Sequence, residues 1–279
     1  MTATGITSIA GLTIRWMTNN PLQGYGQSLY EVKEIHDFPL WEQFVKESPQ
    51  GTLFSSPKWC CLFPDPFVIY GCFKGNELQG GLIGFNTSKG FFSGGYPCTQ
   101  FQGIITKPGF ESKYGITEAL ISVLPAKSTV VNSYYATDIR PFLWADWKPL
   151  VRYTYLIQNP DLSKLEKDTR YDITHNSDTV TAGDIFSFYK LYEQTFKRKG
   201  LPVPVTSSWM LKFYELFEPA IKTTEHNAAL IIQDDKRAYY LFGASDGSRS
   251  SAKVVWETIK DHKEVDTVGA NSRDIALYK

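Results

Sequence analysis

Metal-binding and redox residues are scarce in this chain, and their spacing excludes several chemistries at once. Of 279 residues only four are cysteines and four are histidines. Cys60, Cys61, Cys72 and Cys98 include no CxxC pair and no histidine at ligand spacing, which excludes a structural zinc site. Adjacent Cys60 and Cys61 make a poor disulfide framework, so reduced, buried thiols are expected. His36, His175, His226 and His262 are scattered, and no spacing sets one between a nucleophile and an acid. There is no Walker loop and no HExxH. Neither a metal nor a tightly bound cofactor is expected.

Charge of one sign is also missing. Twenty-nine basic side chains balance twenty-nine acidic ones, which excludes a global attraction to nucleic acid or membrane and leaves only local patches. No apolar run approaches the roughly 20 residues of a membrane helix. The start, "MTATGITSIAGLTIRW", has neither a basic lead nor a continuous apolar core, so it does not read as a signal peptide. The expectation is a cytoplasmic chain with no membrane span. Aromatics, by contrast, are plentiful at 15%; they serve either sheet cores or stacking platforms for bases and sugars.

The local pattern alternates between strands and helices. Residues 1–30 are weakly patterned and are expected to form a loosely structured arm. "FPLWEQFVKE" sets Phe38, Trp41, Phe44 and Val45 at helical spacing. "FVIYGCF" and "LQGGLIGF" flank the turn residues Lys74–Glu77, a hairpin signal. The glycine-rich passage that follows, through "GFFSGGYPCTQFQGIITKPG", is expected as loop with one strand inside it. "KYGITEALISVL" is helical; "TVVNSYY" and "VRYTYLIQ" are strands. Between these two strands, Pro141 is expected to break any helix in "TDIRPFLWADW". A domain boundary is placed just past Leu156.

The second half begins with a short capped helix over "DLSKLEKDTR". Its clearest helix is "DIFSFYKLYEQTFKRKG", with Asp184 as N-cap, a stripe of Ile185, Phe188, Tyr192 and Phe196, and Gly200 as a left-handed exit. After "LPVPV" come a second helix, "SSWMLKFYELF", three strands in meander order, the loop "SDGSRSS", the helix "AKVVWETIKDH" and the strand "VDTV". Ser272 is a candidate cap for a last helix. The pattern is α+β, not doubly wound.

This order resembles a Gcn5-related N-acetyltransferase domain. The strings "SSPKWCCLF", "DIRPFLWADWKPLVRYTYLI", "FYKLYEQTFKRKGLP", "RAYYLFGASDG", "VVWETIK" and "VGANSRDIALYK", in that order over about residues 40 to 279, resemble the FemAB-like family. That family contains the peptidoglycan bridge-forming aminoacyltransferases and less characterised acyltransferase relatives. The resemblance implies two Gcn5-like domains side by side, over 31–156 and 157–279, with an acceptor groove between or beside them. It implies transfer of an acyl or aminoacyl group to a small-molecule or peptide amine, from aminoacyl-tRNA or acyl-CoA. Bridge-forming enzymes carry an Arg-Gly-Pro-like turn in the first domain; this chain has Gln102-Gly103 there, which points to the less characterised branch.

On the same mapping "RAYYLFGAS" is strand four and "VDTVGAN" strand five, the pair that parts around the acyl group. Tyr239 and Tyr240 point to opposite faces, so at most one faces that cleft as a catalytic phenol; otherwise both are core. Arg249, in the loop before the next helix, is a candidate for an anionic group, or belongs to a solvated loop. Asp138 and Arg140 either face the acceptor or fix the turn before Pro141, and Arg170 is either an anion clamp or a surface ion pair. In the Gcn5-like fold a closing hairpin follows strand five; this sequence stops at Lys279. The expectation is a missing hairpin, a bare edge on "VDTV" and dimerisation through it. Two other functions compete: a binding protein of this fold without catalysis, and a tRNA or nucleic-acid binder using Lys197, Arg198 and Lys199.

Overall fold

The computed structural model describes residues 6–15, 29–96, 98–110, 114–136 and 138–268. The helix expected from Ser272 lies outside the described residues. Two compact units divide the chain, one formed by Ala10–Tyr153 and one mainly by Thr154–Ile275.

The first unit contains the part of β1 (Ile6–Arg15) from Ala10 on, β2 (Glu31–Glu34), α1 (Phe38–Glu47), α2 (Pro57–Cys60), β3 (Phe67–Lys74), β4 (Glu77–Thr87), β5 (Gly90–Ser93), β6 (Ile104–Thr106), α3 (Tyr114–Ser122), β7 (Ser128–Val131) and α4 (Arg140–Trp144). Asp37 caps α1 by accepting the Leu40 amide at 3.0 Å, and Trp41, Phe44 and Val45 turn inward, while Phe38 stays 42% exposed. Strands β2, β3 and β4 form an antiparallel meander, with Gly75 at φ +61° in the turn between β3 and β4. The glycine-rich passage holds two strands, not one. β5 pairs with one end of β4, and β6 pairs antiparallel with Gly80–Leu82 in its middle. β5 then runs parallel to β7, with α3 in the connection between them. Within residues 1–30, Ile6–Arg15 forms β1, and Thr13–Arg15 pairs antiparallel with β7.

Pro141 does not break a helix; it starts one. It occupies the first turn of α4, where its missing N–H has no intrahelical partner to lose. Of the four thiols, Cys60 and Cys72 are buried, Cys98 is half-buried and Cys61 is exposed. Burial pushes Cys72 and Cys98 up to about 12, which keeps them protonated and non-nucleophilic at neutral pH.

β8 (Lys148–Gln158) carries the chain into the second unit. There follow α5 (Lys167–His175), β9 (Thr181–Ala182), α6 (Ile185–Arg198), α7 (Ser207–Phe217), β10 (Ala220–Thr223), β11 (Asn227–Gln233), β12 (Ala238–Ser245), α8 (Ala252–Ile259) and β13 (Glu264–Asp266). Asp184 caps α6, its carboxylate accepting the Phe186 and Ser187 amides at 2.9 Å, and Gly200 leaves it at φ +66°. β9 to β12 form an antiparallel run, and α8 connects β12 to its parallel neighbour β13. On one face Phe242 meets the rings of Tyr192, Trp209 and Phe213 from α6 and α7. On the other, Ile231, Ala238 and Val265 pack with Ile259 of α8 and with Tyr240.

The expectation of a bare edge on "VDTV" is overturned. β13 pairs with β12 on one side and antiparallel with β8 on the other, in the register Glu264↔Gln158, Val265↔Ile157, Asp266↔Leu156. The apolar end of β8, an earlier strand, occupies the place expected for a later one. An edge that is already paired offers no template to a second chain, so the argument for a homodimer through it falls.

Candidate active site

Strands β12 and β13 stay together for only two register positions, Ala238↔Val265 and Tyr239↔Asp266. Beyond them the strands fork. β12 continues to Ser245, while the chain after Asp266 keeps to β8, with the Thr267 amide donating to the Tyr155 carbonyl at 3.1 Å. A bulge marks the same place on β12: Tyr240 pairs with Ile231 and Phe242 with Leu230, so Leu241 has no cross-strand partner. Bulges bend a strand and re-aim its side chains, and they recur beside active sites. On the opposing arm Val268 sits at φ +57°, which a β-branched side chain rarely tolerates. Backbone strain of this kind costs on the order of 1–3 kcal/mol and persists where neighbours over-determine it.

Asp266 supplies the constraint. One carboxylate oxygen, Oδ1, accepts the Val268 amide at 2.8 Å and the Thr154 hydroxyl at 2.6 Å. Its other oxygen, Oδ2, is buried and meets no donor among the described residues. The side chain is 0% exposed. Burial pushes its carboxyl up to about 6, against the opposing pull of the Thr154 and Val268 hydrogen bonds and the Arg237 charge. Other ionisable groups surround it: Arg237, buried, lies with Nε 3.3 Å from Glu264 Oε1, and Tyr239 shares the Asp266 face of the sheet. The arrangement is a carboxyl group at the apex of a fork, with one free acceptor oxygen and a proton affinity close to neutrality. Such a group can take a proton from an amine and pass it on.

The residues expected from sequence fall in separate places. Tyr239 is fully buried, and its hydroxyl donates to Asp234 Oδ2 at 2.7 Å. Burial and the Asp234 carboxylate hold that phenol protonated well above its ordinary range. Tyr240 is half-buried on the opposite face, packed against the α8 cluster. Asp138 and Arg140 bind each other: Arg140 Nε and Nη2 meet the two Asp138 oxygens at 2.9 and 2.6 Å, and Oδ1 also accepts the Arg140 amide. These bonds hold the Asp138 carboxyl below the usual carboxylate range and fix the entry to α4. Arg170 donates to the Ser163 carbonyl at 3.2 Å on the surface. Arg249 pairs with Asp178 at 2.7 Å and lines an open cleft beside α5. Arg198 donates to the Ser245 carbonyl at 3.3 Å, so one of the three basic residues closing α6 is engaged inside its own unit.

Sequence reasoning missed Asp266, Thr154 and Arg237. The available signal was an acidic residue inside an apolar strand, since a buried carboxylate needs a reason. No group of three or more potential metal-ligating side chains assembles among the described residues.

The first unit has a fork of its own, and it is filled. β5 and β7 run parallel to Ser93 and Val130 and then part. Buried Gln102 occupies the gap, accepting the Gly94 amide at 2.7 Å and donating to the Phe54 carbonyl at 2.9 Å. Asn132 accepts the Ile104 amide at 2.9 Å. Gly103 sits at φ +55°, where a Cβ would lie 2.6 Å from the Asn132 Cα. The residues that stand in place of an Arg-Gly-Pro turn thus close this fork.

Each unit thus contains a helix-connected parallel strand pair that parts, in an α+β arrangement. Solved structures of similar fold are known. FemX matches with a TM-score of 0.63 and 14% identity, covering 86% of this chain and 89% of its own. A Gcn5-related N-acetyltransferase from Kribbella flavida gives a TM-score of 0.37 and 10% identity over 90% of this chain and 67% of its own. No family model matches the chain, and no curated protein does. The fold is similar to that of FemX.

Proposed function

We propose that the chain is an N-acyltransferase, moving an acyl or aminoacyl group from an activated ester or thioester to an amine, with reaction at the fork of β12 and β13. The observation that carries this reading is Asp266, a buried carboxyl with one oxygen unpartnered among the described residues, where the two parallel strands part. In the step, a C–N bond forms and the acyl C–O or C–S bond breaks. The amine proton goes to Asp266 and from there to the departing oxygen or sulfur. An amine attacks only when it has lost its proton, and a base titrating near 6 holds a vacant site at neutral pH. The donor is aminoacyl-tRNA or acyl-CoA; the acceptor is an amine on a small molecule or peptide. The filled fork of the first unit supports one reacting centre per chain.

The test is amide formation by the purified chain with panels of both donors and amine acceptors, read by mass spectrometry. Product above the uncatalysed rate that falls in Asp266→Asn supports the reading. No product with any donor, or equal product in the variant, counts against it. Filter binding against salt separates a nucleic-acid binder, which would show a steep salt slope without any transfer.

A further inference from the structure

Asp266 stands on β13 directly opposite Leu156 of β8, so the cross-strand neighbour of this buried carboxyl is apolar. A buried carboxyl in that position must find its donors elsewhere. It finds them two residues further on, at the side where the chain has left β12. The Tyr155 amide donates to the Thr267 hydroxyl at 3.3 Å and the Thr267 amide to the Tyr155 carbonyl at 3.1 Å, which carries the pairing with β8 to that point. There Thr154, two positions before Leu156 and on the same face of β8, donates its hydroxyl to Asp266 Oδ1 at 2.6 Å. The Val268 amide donates to the same oxygen at 2.8 Å. A diagonal neighbour of this kind is within reach of a side chain that leans along its strand. Thr154 is 1% exposed and is the first buried residue of β8 after six exposed ones. The strand itself does not ask for a hydroxyl here, since valine has the same branched shape and suits a buried sheet position as well. Two donors on Oδ1 and none on Oδ2 among the described residues is also not what satisfying a carboxyl for folding alone would produce.

We infer that Thr154 is a positioning residue of the transfer reaction: by holding Oδ1 together with the Val268 amide, it fixes Oδ2 as the atom that takes the amine proton. The inference rests on the acyltransferase reading for the reaction and on the fork for the geometry. Without the hydroxyl, the carboxyl is held by one backbone donor and can turn about its own bond, which exchanges the two oxygens. The hydroxyl also favours the ionised carboxyl, the form that accepts a proton. The other groups acting on that titration are Arg237, just before β12, Tyr239 on β12 and Glu264 on β13, and a change at Thr154 leaves all three in place.

The experiment pairs a titration with a transfer assay on the 279-residue chain, comparing wild type, Thr154→Val and Thr154→Ser. The titration follows carbon-13-labelled aspartate carboxyls by nuclear magnetic resonance, with the Asp266 signal assigned by its absence in Asp266→Asn. The expected result is that Thr154→Val raises the Asp266 midpoint by about one pH unit or more, the scale of a lost hydrogen bond to a charged group, while Thr154→Ser keeps it. In transfer, Thr154→Val should lower kcat about tenfold at pH 8 with little change in donor KM. That pH lies above both midpoints, so a loss there reports position and not protonation. The acid limb of the pH profile should move up with the midpoint, and Thr154→Ser should restore both. An unmoved midpoint, or full turnover of Thr154→Val at pH 8, overturns the inference. So does a Thr154→Val chain that fails to fold where Thr154→Ser folds, which would make the hydroxyl a structural requirement. No transfer by any of the proteins would sink the reading of function, and a raised midpoint would still show the hold of Thr154 on the carboxyl. Transfer that needs Asp266 but ignores Thr154→Val would do the reverse.

Discussion

Asp266 is the residue on which the proposed function rests, and its titration gives a stability test as well as a kinetic one. The folded chain holds this proton more tightly than the unfolded chain does, since burial moves the carboxyl from 3.8 to about 6. The group's contribution is therefore most favourable below about pH 4 and is lost as pH rises through 6, by up to roughly 3 kcal/mol. Urea unfolding from pH 4 to 8 should show that decline in the wild type, and Asp266→Asn should flatten it. The variant should thus be no less stable than wild type at pH 8, yet slower in turnover by a hundredfold or more, the scale of a lost general base. The acid limb of kcat/KM near pH 6 should vanish with it. A large loss of stability at pH 8 would assign Asp266 to structure alone. Tyr239 makes the contrasting case. Tyr239→Phe leaves Asp234 Oδ2 without its 2.7 Å donor and should cost about 1–2 kcal/mol in unfolding while changing turnover little.

At the level of elements, α6 was fully legible because every signal that specifies it is local. Asp184, the Ile185–Phe188–Tyr192 stripe and Gly200 lie within one stretch of chain, and each does what its type requires. Asp184→Ala should therefore cost about 1 kcal/mol, measured by thermal or urea unfolding. β13 was legible as a strand but not in its pairing. Its partner, the end of β8, lies more than a hundred residues earlier, and composition carries no record of long-range register. Pro141 was misread for a different reason: proline forbids the helix interior but fits the first turn, and only the backbone shows which position it holds. Asp266 was passed over because a single acidic residue in "VDTV" reads as the polar face of a half-exposed strand. The second neighbour that buries β13 also buries that carboxylate. The adjacent turn gives a further test. Val268→Gly should relieve the strain at φ +57° and, even after the entropy cost of glycine, leave stability within about 1 kcal/mol of wild type. A loss above about 2 kcal/mol would show that the valine side chain, 8% exposed, matters more to packing than its backbone costs.

For the whole molecule, the two units share a plan and differ at the fork. In Ala10–Tyr153 the gap between parallel strands is closed by Gln102, Gly103 and Asn132. In Thr154–Ile275 it holds a carboxyl group with one oxygen unpartnered among the described residues. Similarity to FemX over 86% of this chain at 14% identity shows the fold alone. No helix among the described residues is long and apolar enough to cross a membrane. The most direct test of the central claim is a single-turnover transfer assay with donor-loaded wild type and Asp266→Asn, run at pH 5 and pH 8. The account predicts amide product from the wild type, faster at pH 8 than at pH 5, and a variant at least a hundredfold slower at pH 8 with no such pH dependence. Equal rates for the two proteins at pH 8 would contradict it.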